Sequence, residues 1–233
     1  MNYFLDTNVE IGYVFCTDPW HDYSVKLFND NDLLYYSHCV DKEFYKKYDS
    51  ILKEQKNFFY QLKNELKESS RQKLSLNDLK IKAQIIFLRR DFEENKKDKI
   101  SEVLWKLSQP KHEYDNKLNT HVCNVEDLLV YLEKFIRGFE RKLNERINYF
   151  EFNVILHKRY EQYMDLNEKL LFEADVHFPD NCIILDAHDL SLNKGINLEF
   201  VTSDENMINK INTMVDLLFI DEFLYLKDFV NNN

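Results

Sequence analysis

Only three glycines, Gly12, Gly138 and Gly195, and three prolines, Pro19, Pro110 and Pro179, interrupt 233 residues. Breakers this sparse permit long helices. They also exclude several catalytic machines. No two glycines are near enough to build a phosphate-cradling loop, so Walker-type and dinucleotide-binding loops are ruled out. The G-x-S-x-G nucleophile elbow is ruled out too. At a prior of ~150 residues per domain, the length suits one large domain or one domain with an insertion.

The formal net charge is −10, which argues against a polyanion binder in bulk. The distribution is uneven. Residues 42–111 hold 18 basic and 11 acidic side chains, whereas the rest hold 13 and 30. Opposite signs in two parts of one chain suggest a basic surface for a polyanion beside an acidic part with another task. The cysteines, Cys16, Cys39, Cys123 and Cys182, form no C-x-x-C and no zinc spacing, and read as reduced thiols. The first ten residues lack the pattern of a secretory signal, and no apolar run has the ~18–20 residues of a membrane helix. The expected compartment is the cytoplasm.

Periodicity divides the chain into three parts. Residues 2–5 and 33–36 read as short buried strands, with a helix over 19–28 between them. From residue 39 a helical period takes over, carried by Val40, Phe44, Tyr48, Ile51, Phe58 and Phe59. The middle reads as all helix. Ser75 and Asp78 resemble a capping box opening a helix that continues over 79–107. Residues 109–120 read as a polar loop, and Leu128, Leu132, Phe135, Phe139, Leu143, Ile147, Phe150 and Val154 line one face of a helix reaching about residue 172. That stripe also suits a coiled-coil homodimer, although packing within the insertion accounts for it more simply. Beyond Pro179, a helix, a strand over 198–202, a short helix and a strand over 215–220 are expected. Strands alternating with helices imply a parallel sheet. The expected fold is α/β, a three-layer α/β/α core from residues 1–60 and 175–233, with 61–174 as a helical insertion.

Four acids fall where such a sheet builds sites. Asp6 ends the first strand and Asp204 lies just beyond the strand over 198–202. Sites in open parallel sheets form outside the carboxyl ends of strands, so both belong to one rim. Glu43 and Asp180 each lie near the start of a helix and can point over that rim. Four converging carboxylates repel one another, and a hard divalent cation, Mg²⁺ or Mn²⁺, relieves that repulsion through oxygen ligands. Separately, each aspartate is also a good turn or helix cap in any protein, and Glu43 between Lys42 and Lys46 suits a solvated face.

The stretches YFLDTN (Tyr3 to Asn8), KEFY with Glu43, FPDNCIILDAHDL with Asp180, and FVTSDENM with Thr202 and Asp204 together resemble the PIN domain family of metal-dependent nucleases. The match covers roughly residues 1–60 and 175–233. It implies hydrolysis of phosphodiesters, usually in RNA, with Asp6, Glu43, Asp180 and Asp204 holding one or two Mg²⁺ or Mn²⁺ ions and Glu43 as a proton acceptor. Thr7, Asn8 and Thr202 would support the carboxylates. Asp186 is the fallback for Asp180, which is favoured because Ile183, Ile184 and Ala187 then fall on the buried face. Compact toxin-type members lack an insertion of this size, so a toxin role is not expected; an inhibitory protein partner stays open, without support from the residues. Arg89, Arg90, Lys96 and Lys97 suit RNA phosphates or, equally, a solvated helix face paired with Glu93, Glu94 and Asp98. Two other readings compete. One is a non-catalytic RNA- or protein-binding scaffold. The other is a haloacid-dehalogenase-like phosphatase, which wants a second aspartate where this chain has Asn8.

Overall fold

The computed structural model describes residues 1–29, 33–69, 72–88 and 94–228. In chain order the elements are β1 (Asn2–Leu5), α1 (Thr7–Val14), α2 (His21–Asn29), β2 (Leu33–Ser37), α3 (His38–Glu68), β3 (Lys73–Leu74), α4 (Leu76–Leu88), α5 (Glu94–Ser108), β4 (Glu113–Asp115), β5 (Thr120–Asn124), α6 (Val125–Asn153), β6 (Ile155–His157), α7 (Met164–Phe172), α8 (Asp180–Lys194), β7 (Glu199–Thr202), α9 (Glu205–Ile211) and β8 (Glu222–Tyr225). They form two compact units. The first comprises Met1–Phe15, Trp20–Tyr48 and the chain from Glu145 on, and the second comprises Cys16–Pro19 and Asp49–Asn144.

The first unit is α/β, a five-stranded sheet in the order β6-β2-β1-β7-β8 flanked by helices. All four pairings are parallel. β1 is central, with Phe4 opposite Tyr35 on one side and Phe200 on the other. Such a strand is covered on both faces, which is why Tyr3, Phe4 and Leu5 form a continuous apolar run rather than an alternating one. The chain moves from β1 outward through β2 to β6, then returns to add β7 and β8 on the opposite side. The direction of winding therefore reverses between β1 and β7, and a crevice opens at their carboxyl ends.

α8 is buried over most of its length, with Ile183, Ile184, Ala187 and Leu190 in the core. It ends where expected, at Gly195, whose φ of 59° is the left-handed value that closes a helix. Asp189 on this helix is fully buried. Its carboxylate accepts hydrogen bonds from His157 Nε2 (2.9 Å), the backbone N–H groups of Tyr160 (3.1 Å) and Glu161 (3.3 Å), Tyr163 Oη (2.8 Å) and Asn193 Nδ2 (2.9 Å). Five donors satisfy the charge and fasten the segment after β6 to α8.

The second unit is not all helix. β3, β5 and β4 make an antiparallel sheet, and the segment expected as a polar loop is the β4–β5 hairpin. Its strands are short and polar, so no hydrophobic alternation marks them. The expected capping box is present: Ser75 Oγ and the Ser75 N–H both donate to Asp78 Oδ2, at 2.7 and 2.9 Å, and the Asp78 N–H donates to Ser75 Oγ at 3.2 Å. Phe59 packs edge-on against Phe135 and Phe139.

Four expected boundaries move. The helix expected to continue over 79–107 is two helices, α4 ending at Leu88 and α5 opening at Glu94. The long apolar helix stops at Asn153 rather than near 172, and Ile155–His157 pairs with β2 as the outer strand of the sheet. The segment around β6 and α7 therefore belongs to the sheet unit, not to an insertion beginning at residue 61 and ending at 174. The run over 215–220 is a 3-10 turn at Val215–Leu217, and the strand follows at Glu222–Tyr225. Among the described residues, no helix is long and apolar enough to cross a membrane.

Candidate active site

The turn after β1 is built by Asp6. Its N–H donates to Val201 of β7 at 3.0 Å, which extends the sheet by one bond. Its side chain then caps α1, Oδ1 accepting from the Thr7 N–H at 2.7 Å. The other oxygen, Oδ2, accepts from Thr202 Oγ1 at 2.7 Å. Thr202 closes β7, and the same hydroxyl oxygen accepts from the Asp204 N–H at 3.0 Å. One hydroxyl thus links the aspartates beyond two neighbouring strands. Asp204 in turn caps α9, its Oδ1 accepting from Asn206 and Met207 at 2.9 and 3.2 Å.

Thr7 makes the second link. Its hydroxyl donates to Glu43 Oε2 at 2.7 Å, joining α1 to α3. Glu43 Oε1 pairs with Lys47 one helical turn on, at 2.6 Å. Asp180 is the first residue of α8 and half-buried, not the cap itself, which is Pro179. Asn8 is half-buried in the first turn of α1.

The four acids act on one another. Asp6 is 2% exposed. Burial, followed by Asp180 and Glu43, lifts its carboxyl to about 7 against the hydrogen bonds from Thr202 and Thr7. Burial, then Glu43 and Asp204, lifts Asp180 to about 6, opposed by Lys47 and Lys210. Residues 6, 43, 180 and 204, from four segments of chain, therefore share one field at the carboxyl ends of β1 and β7. Asp180 and Asp204 line an open cavity of about 140 Å³, with His177, Phe178, Asn206 and Lys210 on its wall. Lys210 Nζ donates to the Asp175 carbonyl and Oδ2, both at 2.8 Å.

Asp186 stands apart from this group. Arg159 Nε pairs with its Oδ1 at 3.2 Å; burial raises its carboxyl, and Ser37, Arg159 and Cys39 beside it oppose that rise. It holds the start of α3 against α8. Of the basic residues expected to meet RNA, Arg89 and Arg90 lie outside the described residues, and Lys96 and Lys97 fall within α5. Lys47 and Lys210 were not anticipated. Lys47 is legible as an i,i+4 partner of Glu43. Lys210 has no signal in the sequence, because only the fold brings it beside Asp180.

A divalent cation suits this donor set in kind. The donors are carboxylate oxygens, and their mutual repulsion is what a cation would relieve. Among the described residues, no three His, Cys, Asp or Glu side chains already stand as a ligand set, so binding requires the carboxylates to turn inward. No family model, curated protein or solved structure matches the chain.

Proposed function

We propose that this chain is a metal-dependent phosphodiesterase acting on RNA, built on a PIN-like core. The observation that carries the reading is the electrostatic coupling of Asp6, Glu43, Asp180 and Asp204 at the reversal point of a parallel sheet. The order also agrees with the resemblance: an aspartate after the first strand, a glutamate in the helix after the second, an aspartate opening a later helix, and a final one in a T-x-D turn.

Asp6, Glu43, Asp180 and Asp204 would hold Mg²⁺ or Mn²⁺. Such an ion, when bound, acidifies water and stabilises charge developing on the phosphate. The chain's own contribution is preorganisation. Thr202 fixes Asp6 Oδ2, and Thr7 fixes both Asp6 Oδ1 and Glu43 Oε2. Carboxylates held by second partners lose less freedom on binding an ion. Glu43 has both oxygens engaged, which suits holding charge more than moving a proton. Asp180, raised to about 6 by burial and by Glu43 and Asp204 in the metal-free protein, would be brought down by a bound cation and serves as a ligand at the cavity wall. Lys210 offers positive charge to a phosphate at the same wall.

The test is cleavage of labelled RNA with Mn²⁺ or Mg²⁺ by the full chain, and by Asp6→Asn and Asp204→Asn variants of verified fold. Metal-dependent cleavage lost in both variants supports the reading. Salt-sensitive RNA binding without cleavage at any metal concentration replaces it with the scaffold.

A further inference from the structure

The second unit carries an open cavity of about 450 Å³ that the carboxylate site does not use. Neighbouring segments build it. Trp105 and Lys106 come from the last turn of α5, Gln109 from the 3-10 turn at Gln109–Lys111, His112 from the residue that ends this turn, and His121 from β5. The His112 N–H donates to the Gln109 carbonyl at 3.1 Å and closes the turn. The Trp105 and His112 rings then lie against each other, with centroids 3.9 Å and planes 35° apart. Ser108 fixes the pair. Its hydroxyl donates to the Trp105 carbonyl at 3.0 Å, and His112 Nε2 lies 3.0 Å from the same oxygen. With the hydroxyl proton committed, Ser108 Oγ accepts from the Nε2–H of His112. On the hairpin, His121 stands opposite Tyr114, and their rings meet edge to face at 5.3 Å.

The wall combines flat π-systems with positive charge. Among the described residues that line it none is acidic, and Lys106 is exposed. Lys111, also exposed, ends the turn beside it. Trp105 stays half-buried with His112 against it, so part of the indole is open to a ligand. The chain's basic surplus falls in the same stretch, with 18 basic and 11 acidic side chains over residues 42–111. The volume is in the range of sites for small organic molecules. Every nucleobase has a π-face that aromatic side chains can stack on, and a lysine at the rim attracts the attached phosphate. We propose that this cavity binds one nucleotide of a single-stranded RNA, with its base against the Trp105, His112 and His121 rings and its phosphate on Lys106.

A base enters such a cavity only when it is unpaired, so the site selects single strands over duplex. Gln109, whose amide both donates and accepts, is the group on this wall suited to reading a base edge. That the nucleotide belongs to RNA rests on the proposed function; that the cavity accepts a base with its phosphate does not.

The chain has two tryptophans, Trp20 and Trp105, so the fluorescence of a full-length Trp20→Phe variant of verified fold reports on this cavity. The experiment titrates that variant in EDTA with a short oligouridylate, with UMP and with a blunt RNA duplex. The expected result is saturable quenching by the oligouridylate, roughly tenfold tighter than by UMP because the strand adds phosphate contacts, and none by the duplex. Binding of fluorescein-labelled oligouridylate to the unaltered chain gives a second measurement that does not need the Trp20→Phe change. By that measurement His121→Ala, at an exposed residue, should weaken binding about fivefold or more through lost stacking. Lys106→Ala, also at an exposed residue, should flatten the slope of log affinity against log salt by about 0.7, the share of one phosphate contact. Absent quenching, equal quenching by the duplex, or unchanged binding in both variants would overturn the proposal. Equal affinity for UMP gives the cavity to a free nucleotide and overturns the RNA assignment. Cleavage with Mn²⁺ separates this site from the carboxylates. Quenching without cleavage keeps the cavity and removes the nuclease, and cleavage without quenching does the reverse.

Discussion

Thr202 Oγ1 donates to Asp6 Oδ2 at 2.7 Å, across 196 positions of sequence. The bond lies between the ends of two adjacent central strands. It is buried, and it orients the most deeply enclosed acid of the site. Thr202→Val keeps the shape and removes the hydroxyl. It should cost about 1–3 kcal/mol, since Asp6 Oδ2 and the Asp204 N–H both lose a partner. Cleavage should fall at least tenfold, and Thr202→Ser should restore most of both. Denaturant melts and RNA turnover of the two variants check this; equal turnover in Thr202→Val would separate the bond from function.

Asp6 carries a pH signature. Its folded-state value, about 7, lies above the unfolded value of 3.8. A group raised in this way contributes stability that is fully present below the unfolded value and lost as pH climbs through the folded one. The Asp6 contribution in the metal-free protein should therefore disappear between about pH 4 and pH 7. Asp6→Asn cannot titrate, so the difference in melting temperature between variant and wild type isolates the effect. That difference should move in the variant's favour by roughly 10 °C from pH 4 to pH 8. Mn²⁺ at pH 8 should raise the melting temperature of the wild type alone. A pH-independent difference would contradict the burial of a neutral Asp6.

Asp189 behaves in the opposite sense. Burial works to raise it, but Tyr163, the Tyr160 and Glu161 N–H groups and His157 together bring it below its usual value. Its contribution is present above the unfolded value of 3.8 and lost as pH falls through the lower folded one. Asp189→Asn presents an amide to several donors at once and should cost about 3 kcal/mol or more. Hydrogen exchange should then speed up over residues 157–163, while the β1–β7 amides remain protected.

Gly12 lies where α1 packs closely against the start of α2. A Cβ there would stand 2.6 Å from Ser24 Oγ and 3.2 Å from Trp20 Cβ. Gly12→Ala should destabilise by about 1–3 kcal/mol through overpacking. Ser24 Oγ is buried with no hydrogen-bond partner, so Ser24→Ala alone should be nearly silent. The double variant should recover part of the loss, because the nearest obstacle has gone. Chemical melts of the three variants read the coupling directly.

The sheet's centre was legible because buried parallel strands are apolar runs closed by polar residues. Asn2–Leu5 matches its expected bounds, and Leu33–Ser37 and Glu199–Thr202 lie within a residue of theirs. The outer strands were not. Ile155–His157 follows a helix whose stripe runs into it at Val154, and periodicity alone cannot see the helix end. Glu222–Tyr225 is half-exposed and half-polar, whereas the apolar run before it looks more like a strand than the strand does. At the site, the acids announced themselves by their position after strands and at helix starts. The roles of Thr202 and Thr7 as bridging hydroxyls depend on partners 196 and 36 positions away, which no local pattern encodes. The same holds for Asp186, whose partners Arg159, Ser37 and Cys39 come from two other segments.

The central place of β1 bears on how the protein is made. β1 is translated first, yet its neighbour β7 follows nearly two hundred residues later, with Leu5 opposite Val201. At ordinary elongation rates that is roughly 10–40 s during which one edge of the most apolar strand has no mate. A nascent chain in this condition is open to pairing with other chains and to capture by chaperones. Yield should therefore respond to translation speed and chaperone supply more than the finished protein's stability would suggest.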